Sequence, residues 1–130
     1  MDDARRTLTA RLYCQGMETE HVFAAMPVAD RDRAAAWYER LFGRPPDLIP
    51  NEHEAAWQLT QTAWVYVFVD AQRAGSGVQT LLIADLDAFI EEVGERGIAS
   101  SPVEPVGRSG RRTVVGDQDG NLLKVAQVPV

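Results

Sequence analysis

The stretch PVADRDRAAAWYERLFG, residues 27–43, decides the fold, because it reads as a strand end, a capped helix and a helix stop. Asp30 stands at the N-cap position, where a short carboxylate can accept backbone N–H groups at the positive end of the helix dipole. Four apolar residues starting at Ala34 then follow at the i, i+3, i+4 and i+7 spacing of one helix face. Gly43 can adopt the left-handed conformation that ends a helix, and two prolines after it prevent continuation.

A second version of this pattern, IADLDAFIEEVGERG, occupies residues 83–97. Asp85 lies 55 residues after Asp30, and Gly97 lies 54 residues after Gly43. A repeat of this kind is typical of duplicated supersecondary units that bury one core together. A chance similarity between two amphipathic helices is the alternative.

Length and composition restrict the class of protein. With 130 residues, 45% of them hydrophobic and 25% charged, the chain has the size and composition of one globular domain. The net charge of −6 argues against nucleic acid, which needs a clustered basic surface. No apolar run approaches the roughly 20 residues of a membrane helix, and the N-terminal residues lack a signal-peptide pattern. Cys14 is the only cysteine, which excludes an intrachain disulfide and favours a cytoplasmic location.

Strand patterns, rich in β-branched, aromatic or alternating residues, occur at 21–28, 54–60, 64–69, 78–84, 113–116 and 122–127. Short extended pieces are predicted at 47–49 and 99–103, and a Gly- and Arg-rich loop at 107–112. Each half of the chain therefore reads as a strand, a helix and three strands.

These halves define the expected domain organisation. A single domain at residues 20–127 consists of module one (20–70), the hinge AQRAGSG (71–77) and module two (78–127). Residues 1–19 are predicted to be an N-terminal extension.

The motifs VADRDRAAAWYERLFG, IADLDAFIEEVGERGI and GDQDGNLLKV, in this order, resemble the glyoxalase, bleomycin-resistance and extradiol-dioxygenase superfamily, also called vicinal oxygen chelate proteins. The resemblance implies an α+β fold in which two βαβββ modules form curled mixed sheets around a concave cleft. It also implies that a homodimer commonly completes the cleft.

Enzymes of the superfamily typically hold one divalent metal with side chains from the first and last strand of each module, so the resemblance assigns four positions here. These positions are Phe23, Val67, Val78 and Lys124. None carries a carboxylate or imidazole, and an ammonium would repel the ion. We therefore expect no metal in the usual place and no other cofactor, while enzymatic activity stays open. A displaced metal site at His21 or His53 is the alternative.

Without a metal, the expected cleft is apolar and aromatic with a few polar points, the usual composition of a small-molecule pocket. The predicted ligand-binding residues are Phe23, Ala25, Trp57, Val67, Val78, Thr80 and Lys124, with Leu59 and Val65 beside them. Trp57 or Trp64 could stack on a flat or cationic ligand. The aromatic residues could equally belong to the core or to a dimer interface. The arginines of the 107–112 loop could bind an anion as a lid or could simply be solvated.

The first hypothesis is therefore a metal-independent protein that sequesters a small aromatic or antibiotic-like molecule unaltered, similar in kind to bleomycin-resistance proteins. The second is a metal-dependent lyase, isomerase or dioxygenase with a displaced site, for which metal binding would be diagnostic. The third is a structural homodimer without a ligand, for which a filled cleft would be diagnostic.

Overall fold

The computed structural model describes residues 17–129. The prediction of an N-terminal extension falls mainly on residues 1–16, which lie outside that range. Nine elements follow in order: β1 (Val22–Val28), α1 (Arg31–Phe42), β2 (Glu54–Gln58), β3 (Ala63–Val69), β4 (Val78–Leu82), α2 (Leu86–Glu95), β5 (Glu104–Val106), β6 (Gly110–Gly116) and β7 (Leu122–Gln127). Neither of these helices is long and apolar enough to cross a membrane.

The strands form two small mixed sheets, one from each module. Sheet one has the order β1-β3-β2, with β1 parallel and β2 antiparallel to β3, and an isolated bridge between Leu48 and Ala56 adds the extended piece predicted at 47–49. Sheet two has the order β4-β7-β6-β5, with β4 parallel to β7. Each module therefore runs β-α-β-β-β, and the predicted α+β fold is confirmed.

Both helices begin as the sequence predicts. Asp30 Oδ1 accepts a hydrogen bond from the Arg33 backbone N–H at 2.8 Å, and Asp85 Oδ1 accepts one from Ala88 at 3.0 Å. Helix α1 ends at Gly43, whose φ of 75° is the left-handed conformation that glycine adopts at little cost.

One hydrophobic core serves both modules. Helix α1 contributes Trp37, Tyr38 and Leu41, helix α2 contributes Leu86 and Val93, and the inner faces of both sheets join them in a single cluster. The two modules therefore bury their apolar surface together, as expected for a duplicated unit.

The 107–112 segment corrects the sequence prediction of a loop. Gly107, with a φ of 62°, turns the chain tightly enough for β5 and β6 to pair, so that Arg111 and Arg112 lie within β6. The Arg111 guanidinium contacts Asp87 of α2 at 2.6 Å, and that of Arg112 contacts Glu104 of β5 at 2.6 Å. Long arginine stems cover a sheet while their charged ends stay at the surface, which explains how two arginines fit in a strand.

A buried polar turn at residues 117–121 joins module two to module one. Asp117 accepts hydrogen bonds from the Tyr38 hydroxyl at 2.8 Å and from Asn121 Nδ2 at 2.7 Å. Asn121 Nδ2 also donates to the Pro27 carbonyl at 2.7 Å, and its Oδ1 accepts from the Gly77 N–H at 2.8 Å. Burial, and then the neighbouring Asp117 carboxylate, raise the pKa of Tyr38, so its hydroxyl stays a proton donor.

Candidate ligand-binding faces

The side of sheet one that points away from α1 is the first candidate surface, and we call it the aromatic face. In the strand register Phe23 lies opposite Trp64, and Ala25 lies opposite Tyr66. Residues directly opposite each other project from the same side of a sheet. The face comprises Phe23, Ala25, Glu54, Ala56, Trp64, Tyr66 and Phe68.

The rings of the aromatic face form a continuous row. Phe23 stacks on Trp64 with ring centroids 5.0 Å apart and planes 13° from parallel, and it meets Tyr66 edge-on at 5.9 Å. Tyr66 lies 5.8 Å from Phe68. The Trp64 indole N–H donates to His21 Nδ1 at 3.1 Å, which fixes the orientation of the indole. Phe23 is nevertheless 44% exposed, so the row presents an open ring surface.

A cavity of about 210 Å³ lies beside this row, lined by Phe23, Pro50, Glu54, Ala56 and Tyr66. It is smaller than the roughly 300–1,000 Å³ of typical small-molecule sites. The cavity can therefore hold only part of a drug-sized ligand, and adjoining surfaces must supply the rest.

The structure corrects the placement of Trp57 and Val67, which lie on the opposite side of sheet one and are fully buried against α1. The Trp57 indole N–H donates to the Arg44 carbonyl at 3.0 Å, and its ring lies 5.8 Å from that of Tyr38. Val65 pairs with Trp57 in the register and is also fully buried. These residues belong to the core and do not line the cleft side.

Sequence reasoning missed Tyr66 and Phe68, and it offered Trp64 only as an alternative to Trp57, because every residue of β3, AWVYVFV, is apolar or aromatic. Alternation divides such a strand into two faces without showing which face is inside. One signal was present: α1 already contributes Trp37 and Tyr38 to the core. The small valines of β3 fit against these large rings of α1. The aromatic residues of β3 therefore project from the side of the strand that points away from α1.

The second candidate surface, which we call the lysine face, is the side of sheet two that points away from α2. Its central part comprises Val78, Thr80, Leu82, Val114, Leu122 and Lys124, and in the register Thr80 and Val114 flank Lys124 directly. The ion pair of Arg112 and Glu104 lies on the same side, towards the β5 edge. Val78, Leu82 and Leu122 are 50%, 59% and 39% exposed. Within residues 17–129 the half-buried Lys124 ammonium has neither a hydrogen bond nor an ion pair.

The seven predicted ligand-binding residues therefore fall into three groups. Phe23 and Ala25 lie on the aromatic face, Val78, Thr80 and Lys124 lie on the lysine face, and Trp57 and Val67 lie in the core. A hydrogen bond of 3.3 Å from Gln79 Nε2 to the Ala25 carbonyl links the first strand of module two to that of module one.

The register also corrects one of the four metal positions that the resemblance assigns. In module two, Lys124 lies opposite Thr80. The residue of module one that corresponds to Thr80 is 55 positions earlier, Ala25, and Ala25 lies opposite Tyr66. Tyr66, and not Val67, is therefore the counterpart of Lys124 in module one. The sequence count was one residue off because the turns before the two last strands differ in length.

The residues present do not fit the metal of the family. The four positions hold Phe23, Tyr66, Val78 and Lys124. A divalent ion needs converging carboxylate or imidazole donors, and the part of the chain that the structure describes has no group of three or more His, Cys, Asp or Glu side chains that could hold a metal ion. His21 Nδ1 is occupied by the Trp64 N–H, and His53 lies 3.2 Å from Glu52 at the surface.

A larger cavity, of about 550 Å³, lies at the end of sheet two, where Leu82, Ser109, Val128 and Pro129 are among its lining residues. None of its lining residues is ionisable, and it lacks aromatic rings. We therefore regard the smaller cavity on the aromatic face as the better candidate, since it combines rings with a carboxylate.

Comparison with protein-family models gave no match, and comparison with curated proteins gave none either. Among solved structures, a glyoxalase/bleomycin resistance protein from Catenulispora acidiphila DSM 44928 is 35% identical, over 84% of this chain and 98% of that one, with a TM-score of 0.79. A bleomycin resistance determinant encoded on transposon Tn5 shares the fold at 24% identity, over 86% and 100% of the chains, with a TM-score of 0.72. A bleomycin-binding protein complexed with bleomycin does so at 23% identity, over 85% and 100%, with a TM-score of 0.71. Because the first of these similarities extends over almost the whole of both chains, this chain belongs to the glyoxalase/bleomycin-resistance family, within the vicinal oxygen chelate superfamily.

Proposed function

We propose that this protein binds a flat aromatic molecule in a cleft lined by the aromatic face and the lysine face, and that it sequesters the molecule without altering it. The observation that carries the proposal is the stack of Phe23 on Trp64, which stays open to solvent at Phe23. An exposed ring surface of this kind favours another ring, because stacking adds to the free energy of apolar burial. The bleomycin-binding protein that shares this fold was solved with its ligand bound, which supports a ligand of antibiotic size.

The donor chemistry of the site supports binding without a metal. Phe23 and Val78 offer no donor atom, Tyr66 offers a single phenol oxygen, and Lys124 brings a positive charge to the same set of positions. Lewis-acid chemistry at these positions would need several carboxylate or imidazole ligands, and the chain supplies none there. Ring stacking therefore replaces metal coordination as the proposed source of affinity.

We also propose that a homodimer completes the cleft. Val78, Leu82 and Leu122 are apolar and largely exposed on the lysine face, and the cavity on the aromatic face is too small for a drug-sized molecule. A second copy that covers these surfaces would enlarge the pocket and bury the exposed side chains. Sedimentation velocity at micromolar concentration tests this, and a monomeric species throughout would contradict it.

Calorimetric titration with bleomycin and a panel of polycyclic aromatic antibiotics tests the binding function. We expect Phe23→Ala to weaken the tightest ligand by about tenfold or more, because the variant loses the stacking surface. The matched control is Val22→Ala, one residue away on the other side of the strand and 62% exposed, which should bind normally.

Two results would contradict the proposal. One is undiminished affinity in Phe23→Ala, and the other is recovery of a chemically changed ligand by mass spectrometry after incubation with the protein. Quenching of tryptophan fluorescence gives an independent measurement, because Trp64 lies on the aromatic face while Trp37 and Trp57 lie in the core. The quenching should disappear in Trp64→Phe.

A further inference from the structure

Lys124 lies at the centre of the lysine face, and the second cation on that side of the sheet, Arg112, is paired with Glu104. It lies on β7, between β4 and β6, so its nearest cross-strand neighbours are Thr80 and Val114. The carboxylate on this sheet that comes nearest in the register is Glu104, and it is already paired with Arg112 at 2.6 Å. The described part of the chain thus supplies no counter-ion to Lys124.

This unpaired ammonium restricts what can cover the lysine face. Covering the exposed apolar side chains around it removes water from the ammonium, and a desolvated charge without a partner is costly. A purely apolar or a cationic occupant would therefore bind this face less tightly than an anionic one. An occupant that brings an anionic oxygen forms a charge-assisted hydrogen bond, about twice as strong as a neutral one.

The charged residue of the aromatic face is a carboxylate and not a cation. Its carboxylate, Glu54, accepts a hydrogen bond from Asn51 Nδ2 at 3.1 Å, so it has a partner within the chain. At the position equivalent to Lys124 it has Tyr66, and at that of Thr80 it has Ala25. Rings are thus concentrated on one face, and the free cation with a neighbouring hydroxyl lies on the other.

We propose that Lys124, assisted by the Thr80 hydroxyl, binds an anionic oxygen of the ligand, and that the ligand class is an aromatic carboxylate or ionised phenol. The ammonium supplies the positive charge and Thr80, opposite it in the register, supplies a second hydrogen-bond donor for the same oxygen. This inference rests on the proposed function, because the ring of the ligand stacks on the aromatic face. It adds the charge of the ligand and the residue that selects it.

The test compares two probes that differ in charge and little in shape: 2-naphthoate, an anion at pH 7, and 2-naphthamide, which is neutral. Calorimetric titration is carried out on the full-length wild type and on Lys124→Gln, Lys124→Arg and Arg108→Gln. Arg108 is an exposed residue of the turn between β5 and β6, so its variant loses the same unit of charge away from the lysine face. Phe23→Ala serves as the stacking variant.

We expect the wild type and Arg108→Gln to bind naphthoate about tenfold more tightly than naphthamide, as one charge-assisted hydrogen bond would give. Lys124→Gln should bind both probes equally, with unchanged affinity for naphthamide, and Lys124→Arg should keep part of the preference. Phe23→Ala should weaken both probes while their ratio stays the same.

Three outcomes would overturn the inference. If the wild type binds both probes equally, the anion site is absent although the aromatic binding function stands. If Lys124→Gln weakens both probes by one factor, or changes the sedimentation coefficient of the protein, Lys124 has a structural role. If neither probe binds the wild type up to its solubility limit, the anion site and the proposed binding of flat aromatic acids fail together.

Discussion

Replacing Tyr38 with phenylalanine removes one hydroxyl from the polar turn that joins the two modules. That hydroxyl is fully buried and donates to Asp117, itself only 8% exposed, at 2.8 Å. A hydrogen bond to a charged group contributes about 1.5–3 kcal/mol to the free energy of unfolding. We therefore expect Tyr38→Phe to lose that amount at pH 7, with no change of shape at the ring itself.

The pH dependence of the same variant is more diagnostic. Burial and the Asp117 carboxylate raise the pKa of Tyr38 in the folded protein above its ordinary value of 10.0. A raised pKa means that the stabilisation is complete below about pH 10 and is lost as the pH rises further. At pH 11 the wild type should have lost about 1.4 kcal/mol through this residue, because the unfolded chain ionises its tyrosine and the folded chain does not. Residue 38 of Tyr38→Phe has no hydroxyl to ionise, so the difference in free energy of unfolding between the wild type and the variant should be smaller at pH 11 by that amount.

Urea denaturation followed by circular dichroism at pH 7, 10 and 11 measures both effects. Tyr66→Phe is the matched control at pH 7, since Tyr66 is half-buried on the aromatic face and its loss of a hydroxyl should not produce the deficit. The reasoning would be refuted by a Tyr38→Phe protein as stable as the wild type at pH 7. A deficit that stays constant between pH 7 and pH 11 would refute the proposed ionisation behaviour.

Three further predictions follow from the packing and from the donor chemistry. Val67→Ala should lower the free energy of unfolding by roughly 2–3 kcal/mol while ligand affinity stays normal, because Val67 is a fully buried core residue; chemical denaturation and calorimetry measure the two. Gly75→Ala should destabilise the protein more than Gly107→Ala in thermal unfolding. Both glycines have positive φ, but a Cβ at Gly75 would collide with the backbone of Asp119, whereas one at Gly107 has open space around it. Adding Ni²⁺, Zn²⁺, Mn²⁺ or Fe²⁺ should leave the midpoint of thermal unfolding unchanged, because a metal that bound only the native state would raise it.

The fold was predictable because its signals are local and occur twice. The Asp30 cap, the helix face that follows and Gly43 depend on neighbouring residues alone, and the repeat at Asp85 confirms the reading independently. The segment that failed, residues 107–112, depends on contacts with distant residues. Arg111 is held in its strand by Asp87, which lies 24 residues earlier and which no local pattern connects to it.

The candidate site was only partly predictable, because its position depends on which side of a strand faces the helix. In β1 the strand runs directly into α1, so the side that carries Phe23 could be assigned from the sequence. Neither β2 nor β3 runs directly into a helix, so the sequence did not show which of their two sides faces α1. The wrong side was chosen for both strands, so Val67 was named instead of Tyr66 and Trp57 was assigned to the cleft. Lys124 was assigned from the resemblance, by its spacing after the Gly120-Asn121 turn, and the register places it on the side of sheet two that points away from α2.

The two modules carry similar side chains at equivalent core positions and different side chains at equivalent positions of the proposed ligand-binding faces. The inward positions that form the shared core are mostly apolar in both modules, since truncating a buried apolar side chain leaves a cavity. Outward positions are free of that constraint, because an exposed residue can change at little cost in stability. Ala25 and Tyr66 in one module therefore correspond to Thr80 and Lys124 in the other. A symmetric pair of sheets thereby becomes an asymmetric lining, with rings on one side and a cation on the other, which suits a ligand that is aromatic at one end and anionic at the other.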